Sequence, residues 1–150
     1  MSGESDLIKL YSARILELAA DIPHLDRLET PCASIKKRSP LCGSTVTVDL
    51  VVTNGRVSAF GQDVKACALG QAAAAILGNV VIGRTRDEIE TARQQLKAML
   101  RTDGPVPEAP FDGFEVLIPA REFKNRHASI MLALDATAEA FQQAEQENCA

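Results

Sequence analysis

An Asn54-Gly55 pair between two strand-like runs is the feature that most restricts how this chain can fold. From Thr45 to Val52, apolar residues alternate with polar ones, which is typical of a half-buried strand. A type I′ turn needs positive φ at both central residues, and Asn-Gly meets that need better than most pairs. The sequence therefore predicts an antiparallel hairpin in which Arg56 to Ala66 returns beside the first strand.

Four segments around this hairpin have the composition or apolar spacing of helices. The first carries an apolar stripe from Leu7 to Ile22 and ends at Pro23, and Ala68 to Ile82 is an alanine-rich run expected to be buried on most sides. A capping box at Thr85 and Glu88 opens the third, and the last runs from about Lys124 to Glu145.

Two short segments are less regular. Ala33 to Lys36 is predicted to be an edge strand, whereas Phe114 to Ile118, closed by Pro119, has no pattern that separates strand from helix. The order of elements predicts an α+β fold: a small antiparallel sheet of about three strands, an N-terminal helix, and several C-terminal helices packed on one face. With 150 residues, of which 46% are hydrophobic, a single domain spanning residues 1–150 is expected.

Composition and charge exclude several classes of function. The formal net charge is -4 and the pI about 5.2, so there is no basic surface of the size that nucleic acid binding needs. No secretory signal, transit peptide or membrane-spanning run is present, so we expect a cytoplasmic protein without a membrane partner. In a reducing compartment the four cysteines are expected to be free thiols, metal ligands or reactive groups rather than a disulfide framework.

Two cysteines lie at the ends of the predicted hairpin. Cys42 precedes Gly43-Ser44 and the first long strand, and Cys67 follows the returning strand at the start of the alanine-rich helix. Unpaired amides and the dipole at a helix N-terminus stabilise a thiolate, which favours metal binding and attack on sulfur. The alternative for Cys67 is a small apolar residue packed against the alanine run. We expect hairpin closure to bring both thiols into one pocket.

These motifs and their order resemble the U-type iron-sulfur cluster assembly scaffolds, the family of IscU, SufU and the N-terminal domain of NifU. The likeness runs from about Leu41 to Phe141 and includes Pro119-Ala120-Arg121 ahead of the last helix. The resemblance implies a cluster or metal site of three cysteines and an aspartate, to which a cysteine desulfurase supplies sulfur. Cys42 and Cys67 match two of those cysteines, Ser44 stands where the family has aspartate, and His127-Ala128 stands where some members have His-Cys.

The resemblance thus implies a carrier rather than an enzyme, which binds iron, an iron-sulfur cluster or transferred sulfur through Cys42 and Cys67, with His127 as a third candidate ligand. A cysteine desulfurase and proteins that receive clusters are the implied partners, and the oligomeric state stays open. The rival hypothesis is a diverged member that has lost cluster binding because Ser44 and Ala128 replace ligands. Such a member would hold zinc, or act only through protein contacts in the same pathway.

Several other features allow more than one interpretation. Cys32 is either a surface thiol or a replacement ligand brought in by a loop, and His127 is either a ligand or a surface or capping residue. The run Lys36-Lys37-Arg38 is either a solvated loop or a contact for an acidic partner. Arg121 follows the family's Pro-x-Arg pattern, which is compatible with a docking role.

Overall fold

The fold consists of one sheet and four α-helices, seen in a computed structural model that describes residues 11–40 and 43–147. In chain order the elements are α1 (Ala13–Ala20), β1 (Ala33–Arg38), β2 (Thr45–Thr53), β3 (Arg56–Lys65), α2 (Ala68–Val80), α3 (Arg86–Arg101) and α4 (His127–Gln146). Two 3-10 segments, Phe111–Glu122 and Lys124–Arg126, connect α3 to α4. No helix in this part of the chain is long and apolar enough to cross a membrane.

The sheet has the order β1-β2-β3 with both neighbouring pairs antiparallel. The predicted turn joins β2 to β3, with φ of 52° at Asn54 and 75° at Gly55. A register shift lies between Val51 and Val52, close to that turn. The predicted α+β class, the three antiparallel strands, the N-terminal helix and the C-terminal helices are all confirmed.

The core lies between one face of the sheet and the helices. The apolar positions of β2 that share a face are all buried, namely Val46, Val48, Leu50 and Val52. The last helix, α4, packs across β1 and β2 on this face and also contacts α2 and α3. Because α4 contacts both the sheet and the other helices, it fixes where the ends of the other elements lie.

The helices that the sequence predicts most clearly have the expected ends and buried faces. In α2 the alanines from Ala72 to Ala75 are fully or almost fully buried, as predicted from their composition. Thr85 caps α3, and Glu88 completes the capping box. The predicted apolar face of α3 is buried at every position, namely Ile89, Ala92, Leu96, Met99 and Leu100.

Three element predictions need correction. Pro119 does not close the segment that begins at Phe114, because a 3-10 conformation runs on to Glu122 and tolerates the proline. The last helix begins at His127 instead of Lys124, since a separate 3-10 turn precedes it. The first helix of the described residues begins at Ala13 after a Ser12 cap and ends at Ala20, so it stops short of the predicted end at Ile22, and the predicted positions Leu7 and Leu10 lie outside the described residues.

A buried carboxylate anchors the chain segment before β1 to the outer face of the sheet. Asp49 in β2 is 0% exposed and accepts hydrogen bonds from the Arg27 guanidinium, from Ser34 Oγ at 2.6 Å and from the Leu28 amide at 3.1 Å. Gly61 in β3 makes room for the same segment, because a Cβ there would lie 2.5 Å from the carbonyl oxygen of Asp26. The segment thus covers the face of the sheet that the helices leave open.

The charge on Asp49 is maintained by its hydrogen bonds. Burial raises the pKa of this carboxyl, but the hydrogen bonds from Arg27, Ser34 and the Leu28 amide, together with the charge of Arg27, outweigh it. The net pKa is therefore below its ordinary value. A depressed folded-state pKa contributes stability above the unfolded pKa, and this stability is lost as the pH falls through the folded pKa.

We expect Asp49→Asn to lower the free energy of unfolding at neutral pH by roughly 2–3 kcal/mol, because it removes an ion pair whose arginine stays partly hydrated. The difference from the wild type should begin to shrink as the pH falls below about 4, where the unfolded chain takes up a proton, and should be smallest below the depressed folded-state pKa, where the native carboxyl is itself protonated. Urea unfolding at several pH values measures both effects.

Asp63→Asn is the matched control, because Asp63 in β3 is partly exposed and its nearest cation, Lys65, is 4.0 Å away. This change should cost less than about 0.5 kcal/mol at any pH. An equal loss in the two variants would contradict the anchoring role of Asp49.

Candidate functional site

Cys67 occupies the N-cap position of α2, as the sequence predicts. Its backbone is extended, with φ -67° and ψ 170°, and its side chain makes no capping hydrogen bond. The thiol is half-buried and free. Because the first amides of α2 have no partner within the helix, the positive end of the helix dipole lies beside this sulfur.

Three segments that are distant in sequence converge on this thiol. Ser129 Oγ, on the first turn of α4, lies 3.5 Å from Cys67 Sγ and donates a hydrogen bond of 3.1 Å to Ser44 Oγ. Ser44 is 5% exposed and Ser129 1% exposed, so the two hydroxyls are shielded from solvent. The serine of the Cys-Gly-Ser run is thereby linked through Ser129 to the second candidate cysteine.

The contact between Cys67 and Ser129 depends on a close approach of α2 to α4. A Cβ on Gly70 would lie 2.7 Å from Ser129 Oγ, 2.8 Å from Ala66 Cβ and 3.3 Å from the Ser129 carbonyl oxygen. The two shortest separations are too short for any larger residue unless Ser129 or Ala66 shifts. Gly70 therefore permits the N-termini of two helices to meet.

The loop between β1 and β2 leads directly into this site. Gly43 has a φ of 72°, which favours glycine, and its amide donates to the Ser39 carbonyl at 3.0 Å. The Ser39 amide in turn donates to the Ser44 carbonyl at 2.8 Å. Cys42 lies in this loop but outside the described residues, so its predicted meeting with Cys67 stays a prediction.

His127 is the first residue of α4 and is 4% exposed. Its Nε2 lies 2.9 Å from the carbonyl oxygen of Ala120. Since a carbonyl only accepts, Nε2 carries a proton and donates, and in the neutral form of the ring the lone pair is therefore on Nδ1. The carbonyl of Ala120 thus sets the tautomer of His127. Metal-binding histidines are commonly held in the same way, by a hydrogen bond from the ring nitrogen that does not bind the metal.

Cys32 and Arg121 are the remaining candidates from the sequence. Cys32 is disulfide-bonded, against the expectation of a free thiol, and its amide donates to the Leu50 carbonyl, far along the sheet from the loop of residues 39–44. Arg121 donates to the carbonyls of Met99 at 2.6 Å and Gly104 at 2.7 Å, so it holds the end of α3. That internal role differs from the docking role suggested by its Pro-x-Arg pattern.

Within residues 11–40 and 43–147, no three His, Cys, Asp or Glu side chains are grouped closely enough to hold a metal ion. The sequence reasoning identified Cys67 and Ser44 but missed Ser129, which joins them. A signal was available, because Ser129 is a polar residue at the start of the apolar face that includes Ile130. Buried polar side chains are usually hydrogen-bonded, so this serine required a partner.

Solved structures of other proteins match this chain over most of its length. The crystal structure of a nitrogen-fixing NifU-like protein (N-terminal) from Brucella abortus is 42% identical, has a TM-score of 0.92, and aligns over 94% of this chain and 98% of that one. A putative iron-sulfur cluster assembly scaffold protein for the SUF system from Fervidobacterium islandicum is 15% identical, with a TM-score of 0.79 over 89% and 98% of the chains, and shares the fold. No protein-family model and no curated protein matches the chain.

We expect Gly70→Ala to destabilise the protein by about 1–3 kcal/mol, although alanine is usually the better helix former by about 1 kcal/mol. The reason is the clash of the new methyl group with Ser129 and Ala66. Urea unfolding of Gly70→Ala, Ser129→Ala and the double variant forms a double-mutant cycle. Because Ser129→Ala removes the clashing oxygen, the double variant should be more stable than the sum of the single effects predicts. A Gly70→Ala protein as stable as the wild type would refute the close approach.

Proposed function

Because this chain belongs to the NifU-like family of U-type iron-sulfur cluster assembly scaffolds, we propose that it receives iron and sulfur at Cys67 and Cys42, with His127 as a further ligand. The convergence of Ser44 and Cys67 on Ser129 carries this proposal. Cys42 precedes Ser44 by two residues, a distance that the extended chain spans in at most about 7 Å. A thiol in that loop is therefore close enough in the chain to share an ion with Cys67.

The position of Cys67 suits a sulfur acceptor. As a thiolate, Cys67 attacks the outer sulfur of a persulfide on a cysteine desulfurase. The new S–S bond forms on Cys67 as the S–S bond of the donor breaks, and the donor cysteine leaves as a thiolate. The sulfur moves without net oxidation or reduction. Half-burial of Cys67 leaves one side open to such a donor.

The position of His127 suits a ligand that is held in one tautomer. With Nε2–H donated to Ala120, Nδ1 is the nitrogen that remains for iron. Two thiolates and one imidazole leave the fourth place of a tetrahedral ion open. An open place is what a carrier needs, because a cluster must be completed by a partner and then released.

The main alternative is a family member that binds no cluster and acts through zinc or protein contacts. The observation in its favour is that Ser44 and Ala128, at two ligand positions of the family, carry no metal-binding group. Among the described residues there is also no cluster of three ligand side chains. The two hypotheses differ in what the purified protein binds.

Anaerobic reconstitution with ferrous iron and sulfide separates them. We expect visible thiolate-to-iron charge-transfer absorption in the wild type and its loss in Cys42→Ser and in Cys67→Ser. Cys32→Ser is the matched control and should keep the absorption, since reducing conditions open the Cys32 disulfide in the wild type as well. A colourless wild-type protein with stoichiometric zinc would instead support the alternative.

We also expect Ala128→Cys to lengthen the lifetime of a reconstituted cluster, because it restores a thiolate at the family's third cysteine position. We expect the lifetime to increase about tenfold, which corresponds to about 1.4 kcal/mol. The decay of the absorption in the presence of a chelator measures this lifetime. Ala138→Cys is the control, since it adds a half-buried thiol about 15 Å further along the same helix. Equal lifetimes in both variants would contradict the assignment of position 128.

A further inference from the structure

A stripe of positive charge runs along α3 on the side that faces α4. Arg93, Lys97 and Arg101 follow one another at intervals of four residues and therefore lie on one helix face, spread over about 12 Å. Like charges at this spacing repel each other and disfavour the helix. The stripe is thus not explained by the stability of α3 alone.

The stripe forms one wall of an open groove made of two adjoining cavities of about 220 and 370 Å³, which share Arg101 and Ala128. We call this surface the basic groove. Its cations come from β1, α3 and the 3-10 turn before α4, namely Lys37, Arg38, Arg93, Lys97, Arg101 and Lys124. Its apolar lining comes from Pro40, Ala128, Met131 and Leu132. Among the described lining residues Asp135 is the one acid.

The two ends of the basic groove differ in whether their cations form ion pairs. At the end toward the C-terminus of α4, the cations have acidic partners: Lys37 pairs with Glu139 at 3.0 Å, and Arg93 pairs with Glu90 at 2.6 Å and with Asp135 at 3.5 Å. Toward the N-terminus of α4, the cations form no ion pair with any described residue, namely Arg38, Lys97, Arg101 and Lys124. Cations that have no ion-pair partner among the described residues are therefore concentrated at one end, in a chain whose net charge is -4.

The unpaired end adjoins the candidate site. Ser39 and Pro40, which begin the loop of the Cys-Gly-Ser run, line the groove together with Ala128. The larger cavity also touches His127. A molecule seated in the groove therefore lies beside the loop that carries Cys42 and beside the first turn of α4.

We propose that the basic groove binds an acidic polypeptide segment of a partner protein, anchored by an apolar side chain. The stripe of cations is too long for a single small anion and matches about three to four residues of extended chain. The apolar lining accepts a side chain that an inorganic anion does not have. The partner is complementary in charge and is positioned next to the candidate site.

The test uses the full-length protein and a short fluorescein-labelled synthetic peptide of alternating glutamate and leucine. Fluorescence anisotropy should show saturable binding at low ionic strength that weakens as salt is added. Lys97→Glu/Arg101→Glu should weaken binding by at least about tenfold, because it removes the two central unpaired cations. The unfolding midpoint of this variant should change little. The glutamate introduced at position 97 attracts Arg93 one turn away, which offsets the loss of the favourable cation at position 101 in the last turn of α3.

Arg14→Glu/Lys36→Glu is the matched control, with the same change in net charge. Both residues are exposed and neither lines the groove, and Lys36 lies one position away from Lys37 on the opposite face of β1. This variant should bind the peptide within about twofold of the wild type. Binding here is measured without iron or sulfide, so a failure of cluster assembly would leave the result unaffected.

Three outcomes would overturn the proposal. The first is the absence of saturable peptide binding, and the second is an equal loss in the groove variant and the control. The third is complete displacement of the peptide by millimolar inorganic phosphate at constant ionic strength, which would assign the groove to small anions.

Discussion

The close packing of α2 against α4 is the contact on which the candidate site depends. Small residues line the face of α2 toward α4, and a Cβ at Gly70 would overlap the side chains of Ser129 and Ala66. This approach brings the first turn of α4 to the N-cap of α2, so Ser129 contacts Cys67. Alanine contributes little apolar area per residue, so the stabilisation of this interface comes from the density of its contacts.

The sheet is stabilised from its other side by an unusual polar contact. Asp49 is fully buried, and the segment from Arg27 to Leu28 is held to it by several hydrogen bonds. A buried carboxylate is costly unless its oxygens are fully bonded, and here donors reach both of them. This side of the sheet therefore depends on satisfied polar groups, whereas the helix side depends on apolar burial. Both are needed to place the β1–β2 loop at the edge of the site.

Patterns that are local in sequence were enough to predict the fold class. The Asn54-Gly55 turn, the capping box at Thr85 and the buried face of α3 each follow from a few adjacent residues, and each is confirmed. The 3-10 conformation around Pro119 was not predictable, because its apolar residues have no single period and its end is fixed by distant contacts of Arg121.

Long-range partners were the other limit of the sequence reasoning. The alternation of β2 predicted that Asp49 faces away from the core, which is correct, but not that the chain before β1 would cover it. The same holds for Ser129, whose partners lie 62 and 85 residues away.

The departures from the family's ligand pattern are consistent with this packing. Ser44 is almost fully buried and accepts a hydrogen bond from the hydroxyl of Ser129. An aspartate in its place would bury a charge, which costs far more than burying a hydroxyl. A neutral residue at position 44 therefore suits a site in which α4 lies close to α2. The same closeness that joins Ser44 to Cys67 through one serine leaves Ala128 beside the basic groove, where a partner would meet it.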